Sequence, residues 1–266
     1  MYIDSHTHLN SPKLFENWKE HVLDFEKIWW KYLVNTWADD EYNKNGLIIS
    51  KEYKWKCFVG STIWYHPSEA IFEKINKENI EDEIEKLKSL YLKNTKYIVA
   101  IWEAGIDTHY DGEKKLELQK ELLEMQCKLA EEFNLPIVIH SRDDFDSTIE
   151  VLEKYKYLKI YFHCRWYWPE EIEKIQNTFE NVWIGFCGNI SYPKAQNIRD
   201  SLRVTKLNNI LLETDAPYLP PQQFRWKTNY PSYVKEIYNF VWEEIKINNN
   251  ELQKIVKENF QRLYIK

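Results

Sequence analysis

Short runs of apolar residues recur along the chain and alternate with longer charged segments. Eight of these runs are rich in β-branched and aromatic residues and are almost continuously apolar, as expected for strands that are buried on both faces. They lie at residues 2–6, 28–36, 56–62, 96–105, 135–140, 158–163, 181–186 and 209–214. The pattern therefore predicts eight buried strands.

The segments between these runs have the spacing of amphipathic helices. In residues 113–134, leucines recur at steps of three and four among glutamate and lysine, which produces one apolar stripe and one solvated face. The same kind of pattern predicts further helices. They cover residues 80–94, 145–155, 169–179 and 230–266, and we expect the last stretch to be purely helical.

Eight strands with intervening helices in 266 residues predict one α/β domain, a (β/α)₈ TIM barrel that spans residues 1–266. An open doubly wound sheet is the alternative, but no glycine-rich fingerprint follows the first predicted strand. Chemistry in such barrels is found at the C-terminal ends of the strands. We therefore expect the functional site, including any metal site, at that end.

The composition is that of a globular protein. Hydrophobic residues make up 44% of the chain, no run of eighteen apolar residues occurs, and no basic patch followed by an apolar stretch opens it. We therefore expect a cytoplasmic protein that makes no membrane contact. The net charge of −6 repels phosphates weakly, so a nucleic-acid substrate would need a local basic patch or bound metal.

The cysteines are far apart and form no CxxC pair, which gives little support to a disulfide framework or a cysteine-based zinc site. We expect reduced and mostly buried thiols. The four residues concerned are Cys57, Cys127, Cys164 and Cys187.

Six side chains that can bind metal lie at or just past the ends of the apolar runs. They are His6, His8, Glu103, His140, His163 and Asp215. His6 and His8 are two residues apart, so in an extended strand their imidazoles share one face. Glu103 follows an almost unbroken apolar run, where a carboxylate is costly to bury unless it is paired or metal-bound.

Each of these residues, taken alone, also has a purely structural explanation. The paired histidines could be polar residues at a strand exit, and Glu103 could form a salt bridge with a lysine. The two later histidines could be hydrogen-bonded core residues, and Asp215 could cap a turn before Pro217. The coincidence of all six favours metal binding, because imidazole and carboxylate groups are the usual ligands of zinc, manganese and similar ions.

Six ligands exceed what one catalytic ion with an open position needs. They suffice for two ions that share a bridging carboxylate. We therefore predict two divalent metal ions, with zinc, magnesium and manganese as candidates. Such a pair activates water and stabilises charge on a phosphoryl oxygen.

Five segments, in order along the chain, carry a family resemblance: IDSHTHLN, AIWEAGID, LPIVIHSRDDFDSTIEVL, FHC and LLETDAPYLPP. Together they resemble the TatD-type metal-dependent deoxyribonucleases, which are amidohydrolase-like TIM barrels. The resemblance covers nearly the whole chain, including residues 227–234 and 258–264. It implies hydrolysis of phosphodiester bonds in DNA, from an end or on single strands.

The resemblance also implies roles for individual residues. His6 and His8 would hold one ion, and Asp215 beside it would accept a proton from the attacking water. Glu103 would bridge the two ions. Glu103 and Asp215 are the two residues expected to be essential for catalysis. Asp107 is expected to lie behind the ligands.

The second ion would be held by His140 and His163. Three further residues could contact the substrate. His66, in IWYHP, could bind phosphate or simply form a turn, and Arg142 could neutralise phosphate or pair with a neighbouring aspartate. Arg165 is flanked by aromatic residues, so it could hold an unpaired nucleotide or belong to an aromatic loop that covers the barrel mouth.

The chain departs from the family pattern around the pocket. Trp102 stands where a small residue is usual, and residues 165–168 read RWYW in place of small residues. Asn229, Tyr230 and Pro231 replace the usual Asn-Glu-Pro. The substrate could therefore differ, so hydrolysis of a small amide, lactone or phosphoester remains an alternative to DNA cleavage. A metal-binding subunit of a larger nuclease or defence assembly is a further alternative.

Overall fold

A computed structural model gives the fold of the chain. It describes residues 1–28, 30–36, 40–53, 58–63, 65–109, 112–164 and 166–265.

Eight strands form one parallel sheet in which each strand pairs with the next along the chain. The strands are β1 (Tyr2–Thr7), β2 (Trp30–Asn35), β3 (Phe58–Ile63), β4 (Ile98–Asp107), β5 (Ile137–Arg142), β6 (Lys159–Phe162), β7 (Asn181–Phe186) and β8 (Ile210–Leu212). The predicted TIM barrel is confirmed, and each strand overlaps the apolar run that predicts it. Continuously apolar runs are reliable here because strands of a parallel barrel are covered on both faces.

Helices follow the strands around the barrel. They are α1 (Trp18–Lys27), α2 (Asp40–Glu52), α3 (Pro67–Ile71), α4 (Ile80–Asn94), α5 (Leu116–Phe133), α6 (Phe145–Leu152), α7 (Pro169–Thr178), α8 (Gln196–Val204), α9 (Val234–Ile245) and α10 (Asn249–Tyr264). Among the described residues, no helix is both long and apolar enough to cross a bilayer.

The barrel closes where the first strand meets the segment after the last one. Thr7 and Ala216 form a parallel bridge. On either side of it, the amide of His8 donates to the carbonyl of Ala216 at 2.7 Å, and the amide of Asp215 donates to the carbonyl of His6 at 3.0 Å. Closure therefore brings the two N-terminal histidines next to Asp215.

The C-terminal helix α10 is tied to both strands at this closure. The side-chain amide of Asn259 donates to the carbonyls of Leu207 and Ile210, at 2.8 Å each, just before and within β8. The Tyr264 hydroxyl donates to the carbonyl of Ser5 in β1 at 3.4 Å. These bonds satisfy buried polar groups, which would otherwise be costly.

The prediction of a purely helical stretch over residues 230–266 is wrong at two places. Pro231–Tyr233 form a short 3₁₀ turn, and α9 ends at Ile245, followed by Lys246, whose φ of 58° is left-handed. Asn248 then starts α10 by accepting a hydrogen bond from the amide of Glu251 at 2.8 Å. The amphipathic pattern continues across this break, so it does not reveal the end of one helix and the start of the next.

The prediction that all cysteines are unpaired thiols is also wrong. Cys164 follows β6 and Cys187 follows β7, and because these strands are neighbours the two residues meet, with a Cα–Cα distance of 5.6 Å, and form a disulfide. The prediction for Cys127 agrees with the structure, since this residue is a buried free thiol. Cys57 lies outside the described residues.

Candidate metal centre

Two imidazoles and one carboxylate converge at the barrel closure. His6 Nε2 lies 2.8 Å from His8 Nε2. Asp215 Oδ1 lies 3.2 Å from each of these two nitrogen atoms. The spacing of His6 and His8 predicts that they project side by side, and the structure has them in this arrangement.

Glu103, in β4, is at the centre of a second group. Its Oε2 lies 3.2 Å from His140 Nδ1 and 3.1 Å from His66 Nε2. Its Oε1 lies 3.0 Å from His163 Nε2. His66 is therefore inside the cluster, whereas the sequence predicts it only as a substrate contact.

The two groups form one continuous cluster. The rings of His6 and His163 are stacked, with centroids 4.7 Å apart and planes 18° from parallel. Possible ligand atoms of Glu103 lie within 4.8 Å of those of His6 and His8, and also of those of His66 and His140. The six predicted ligands are between 0% and 8% exposed, so the cluster is shielded from bulk water.

A local irregularity in β4 positions Glu103. Trp102 pairs with Val138 and Ala104 with Ile139, so Glu103 is an extra residue opposite β5. Such bulges turn a side chain out of the regular alternation and are common beside active sites. The strand then passes so close to β5 that a Cβ on Gly105 would lie 1.7 Å from the carbonyl oxygen of His140.

Trp102 forms the apolar floor of the cluster. Its indole is fully buried, and its ring centroid lies 4.0 Å from that of His6 and 4.8 Å from that of His163, both edge-on. The bulk that distinguishes this chain from the family pattern is thus directed beneath the imidazoles. It restrains their orientation rather than filling the pocket above them.

A fully buried carboxylate that the sequence-based reasoning missed supports the histidines from behind. Glu213 lies 3.5 Å from His163 Nδ1 and 3.9 Å from His6 Nδ1 through its two carboxylate oxygens. It also accepts a hydrogen bond from the Cys164 amide at 2.8 Å and one from the Tyr161 hydroxyl. Glu213, like Glu103, follows an apolar run, where a carboxylate is costly to bury unless it is paired or metal-bound. The same argument could therefore have identified Glu213 from the sequence.

Asp4 is a second buried carboxylate that was missed. It accepts hydrogen bonds from the Thr214 hydroxyl at 2.6 Å and the Thr214 amide at 2.9 Å. It therefore anchors the residue directly before Asp215. Its signal is its place in β1 on the same face as His6, two residues earlier.

Asp107 lies behind His140. Its Oδ2 is 3.2 Å from His140 Nε2, while the other ring nitrogen faces Glu103. Carboxylates in this position fix the orientation of a metal-binding histidine. Arg142 Nη1 lies 3.9 Å from Asp107 Oδ2. Arg165 lies outside the described residues.

The charges within the cluster keep its carboxylates ionised. Burial alone raises the pKa of Glu103, but the neighbouring His163 and His140 lower it well below its usual value. Burial also opposes ionisation of Asp215, and hydrogen bonds from His6 and His8 bring its pKa below the usual range. Burial lowers the pKa of His163, yet Glu103 and Glu213 raise it to about 9. The site thus stabilises positive charge.

The arrangement of donors fits divalent cations. His6 Nε2 faces His8 Nε2, and His66 Nε2 lies 3.3 Å from His140 Nδ1. In each pair two nitrogens point at each other, and one cation between them can accept a lone pair from both rings. Both ring nitrogens of His163 and Nδ1 of His6 are buried and have carboxylate oxygens 3.0–3.9 Å away, but none of these contacts has the geometry of a hydrogen bond. Such nitrogens are open to a cation.

The cluster lies in a cavity of about 1130 Å³. His8, His66, Glu103, His140, His163 and Asp215 line it. Its walls also include exposed aromatic side chains and several carboxylates. The site can therefore hold a ligand larger than the cations alone.

Comparison with known proteins identifies the family. The profile of the TatD-related DNases matches residues 3–265. The chain belongs to the TatD family. A metal-dependent hydrolase of Mycoplasma genitalium, itself uncharacterized, is 28% identical to it over 270 residues, which cover 99% of this chain and 98% of that protein. TatD membership and this relative make the chain a metal-dependent hydrolase.

Two further proteins add to this comparison. The crystal structure of the TatD homologue YjjV from Escherichia coli superposes with a TM-score of 0.87 and 23% identity, covering 99% of this chain and 97% of the other. A human protein named as a 3′-5′ RNA nuclease is 34% identical over 127 residues, which are 47% of this chain and 17% of that protein. The first likeness confirms the fold, and the second concerns part of the chain.

Proposed function

We propose that this TatD-family hydrolase is a two-metal deoxyribonuclease that cleaves phosphodiester bonds of DNA, from an end or on single strands. The observation that carries the proposal is the pair of histidine groups joined by Glu103 at the base of one cavity. Two adjacent ions suit phosphodiester hydrolysis because the attacking and leaving oxygens both need stabilisation.

The first ion would be held by His6 and His8, with Asp215 beside them. This assignment is supported by the convergence of two ring nitrogens and one carboxylate oxygen within 3.2 Å. The second ion would be held by His140 and His163.

Glu103 would contact both ions, since its possible ligand atoms lie within 4.8 Å of those of His6 and His8 and its Oε2 lies 3.2 Å from His140 Nδ1. His66 Nε2 lies as close to Glu103 as His140 does, so it is either an additional ligand of the second ion or a substrate contact at its edge. Arg142, at the cavity wall, and Arg165, beyond the described residues, remain proposed substrate contacts.

Bound divalent ions would supply an activated water and Lewis-acid stabilisation of the developing phosphoryl charge. Asp215 would accept the proton of the attacking water. Asp215 is ionised at neutral pH, as a proton acceptor must be, but its lowered pKa makes it a weak base, so the step would depend on bound ions that acidify the water. Glu213 and Asp107 would hold the histidine rings in place, and Trp102 beneath them would exclude water from that side.

Nucleic acid as the substrate class is supported by the TatD-related DNase profile and by the partial match to a human RNA nuclease. Because that human protein acts on RNA, RNA belongs in the test beside DNA. Small amides, lactones and phosphoesters belong there too, since other amidohydrolase-like barrels act on such compounds.

The test is hydrolysis of end-labelled single- and double-stranded DNA by protein loaded with Zn²⁺, Mg²⁺ or Mn²⁺. We expect cleavage that EDTA abolishes. Replacing Asp215→Asn keeps the shape but removes the proton acceptor and should lower kcat by about a hundred- to ten-thousandfold. Glu103→Ala should abolish cleavage without unfolding the protein.

Asp146→Asn is the matched control, because this carboxylate also lines the cavity but pairs with Lys174 at 2.9 Å, away from the cluster. Cleavage retained in Asp215→Asn or Glu103→Ala would contradict the proposal. Turnover of small esters or amides without cleavage of DNA would favour that alternative. No turnover after metal loading, together with copurifying proteins, would favour a subunit of a larger assembly.

A further inference from the structure

Two exposed tryptophans stand on the wall of the cavity that contains the candidate metal centre. Trp166 is 48% exposed and Trp168 is 59% exposed, and both line this cavity. They follow β6 and lie three and five residues after His163, so the segment that carries a proposed ligand also carries both tryptophans.

Few of the described aromatic side chains are exposed, and three of the six exposed ones, Trp166, Trp168 and Tyr218, line this cavity. Trp102, Tyr161, Tyr238, Phe25, Phe162 and Phe260 are among the largest fully buried side chains. An exposed ring lacks the stabilisation that burial gives a large apolar side chain. Two such rings on the wall of one cavity therefore need an explanation in terms of what the cavity binds.

Local structure holds this segment in place. The amide of Trp168 donates to Glu171 Oε2 at 2.7 Å at the start of α7, and the carbonyl of Tyr167 accepts a hydrogen bond from Ser201 at 2.6 Å. The backbone that carries the two exposed rings is thus attached to two helices. Rings on a fixed backbone lose little freedom when a flat ligand stacks on them.

The charge of the cavity wall argues against simple phosphate recognition. Among the described residues, Arg142 is the only arginine or lysine that lines the cavity. Four carboxylates line the same wall near it, namely Asp143, Asp144, Asp146 and Glu171. The chain as a whole has a net charge of −6. The side-chain charge on the described part of this wall therefore adds little affinity for a polyanion beyond what the proposed metal ions would supply.

We infer that Trp166 and Trp168 form a stacking platform for unpaired bases, which directs single-stranded DNA across the cavity towards the metal centre. Stacking needs no positive charge and tolerates any base, because every base has an aromatic face. Bases inside a duplex are stacked on each other and do not offer these faces. This inference rests on the proposed nuclease function and specifies its substrate as unpaired DNA.

Binding is measured by fluorescence anisotropy with metal-loaded protein that carries Asp215→Asn, so that the proposed ions stay in place while hydrolysis is too slow to interfere. The probes are a fluorescein-labelled poly(dT) strand, an abasic strand of equal length, and a duplex of equal length. We expect poly(dT) to bind more tightly than the other two. Trp166→Ala and Trp168→Ala should each weaken poly(dT) binding about tenfold, equivalent to about 1.4 kcal/mol per ring.

Two further variants separate stacking from a general effect of losing a tryptophan. Trp168→Phe keeps an aromatic face and should retain most of the affinity. Trp226→Ala is the matched control, because Trp226 is 90% exposed but does not line the cavity, and it should bind like the wild type. In metal-loaded protein, the two platform variants should raise KM for single strands while kcat is maintained.

Equal binding of the abasic strand and poly(dT) would overturn the inference, as would unchanged binding in both alanine variants or no binding at all. Tryptophan-dependent binding without hydrolysis in any metal would uphold the platform and overturn the nuclease proposal. Hydrolysis of single strands with the same KM in the wild type and in both alanine variants would uphold the nuclease proposal and overturn the platform.

Discussion

Glu213 offers a sharp test of how this centre is organised, because it touches two imidazoles that are proposed to hold different ions. It is fully buried, and its oxygens lie 3.5 Å from His163 Nδ1 and 3.9 Å from His6 Nδ1. Glu213→Gln keeps the size of the side chain and removes the negative charge. We expect this change to weaken metal binding at both positions.

The size of the effect follows from the distance and the charge. Two full charges 3.5 Å apart, the distance between Glu213 and His163, attract each other by about 5 kcal/mol at an effective dielectric constant of about 20. A metal-bound imidazole carries only part of a positive charge. With about one third of it, the loss is about 1.6 kcal/mol, or roughly 15-fold in affinity. This lies within the roughly 10- to 100-fold range typical of carboxylates behind metal-binding histidines.

Isothermal titration calorimetry with Mn²⁺ measures the effect, and thermal unfolding checks that the variant is folded. Glu171→Gln is the control, because Glu171 lines the same cavity and loses the same charge but contacts the Trp168 amide instead of the histidines. Affinities within twofold of the wild type in the folded Glu213 variant would refute the reasoning. An equal loss in Glu171→Gln would mean that net charge, and not contact with the rings, sets the affinity.

Three further predictions concern the backbone, the cysteines and the metal. Gly105→Ala would place a Cβ 1.7 Å from the carbonyl of His140, so we expect a loss of about 2 kcal/mol in the free energy of unfolding; an unchanged denaturation midpoint would contradict this. Peptide mapping after alkylation without reductant should find Cys164 linked to Cys187, whereas recovery of both as alkylated thiols would count against the disulfide. Dialysis against EDTA should abolish hydrolysis, and added divalent ions should restore it; hydrolysis that persists in metal-depleted protein would exclude a metal mechanism.

The fold could be predicted from the sequence because its signal is repeated. Strands covered on both faces need near-continuous apolar runs, and every one of the eight runs overlaps a strand. The parallel order then places all C-terminal strand ends at one mouth. This parallel order, rather than any single motif, brings His6 and His163 together although they are far apart in the chain. Their ring centroids are 4.7 Å apart.

What the sequence-based reasoning missed depends on pairings between distant residues. Glu213 stands beside Asp215, and its support of His163 and His6 requires knowing that β6, β8 and β1 point side chains at one place. The Cys164–Cys187 contact likewise follows from the pairing of β6 with β7, not from a spacing of 23 residues.

The break between α9 and α10 was not predicted from the sequence for a different reason. Lys246 adopts a left-handed conformation, which is usually reserved for glycine or asparagine, and the apolar spacing on both sides continues without interruption. Asn248 is the one local signal of a new helix, since it caps α10. Helix ends without glycine or proline leave little trace in the pattern of apolar positions.

The central claim is that one buried cluster binds two divalent ions that share Glu103. Anomalous diffraction from a crystal soaked in Mn²⁺ tests it most directly. We expect two anomalous peaks, one against His6 and His8 and the other against His140 and His163, with the carboxylate of Glu103 between them. A single peak, or peaks away from Glu103, would contradict it.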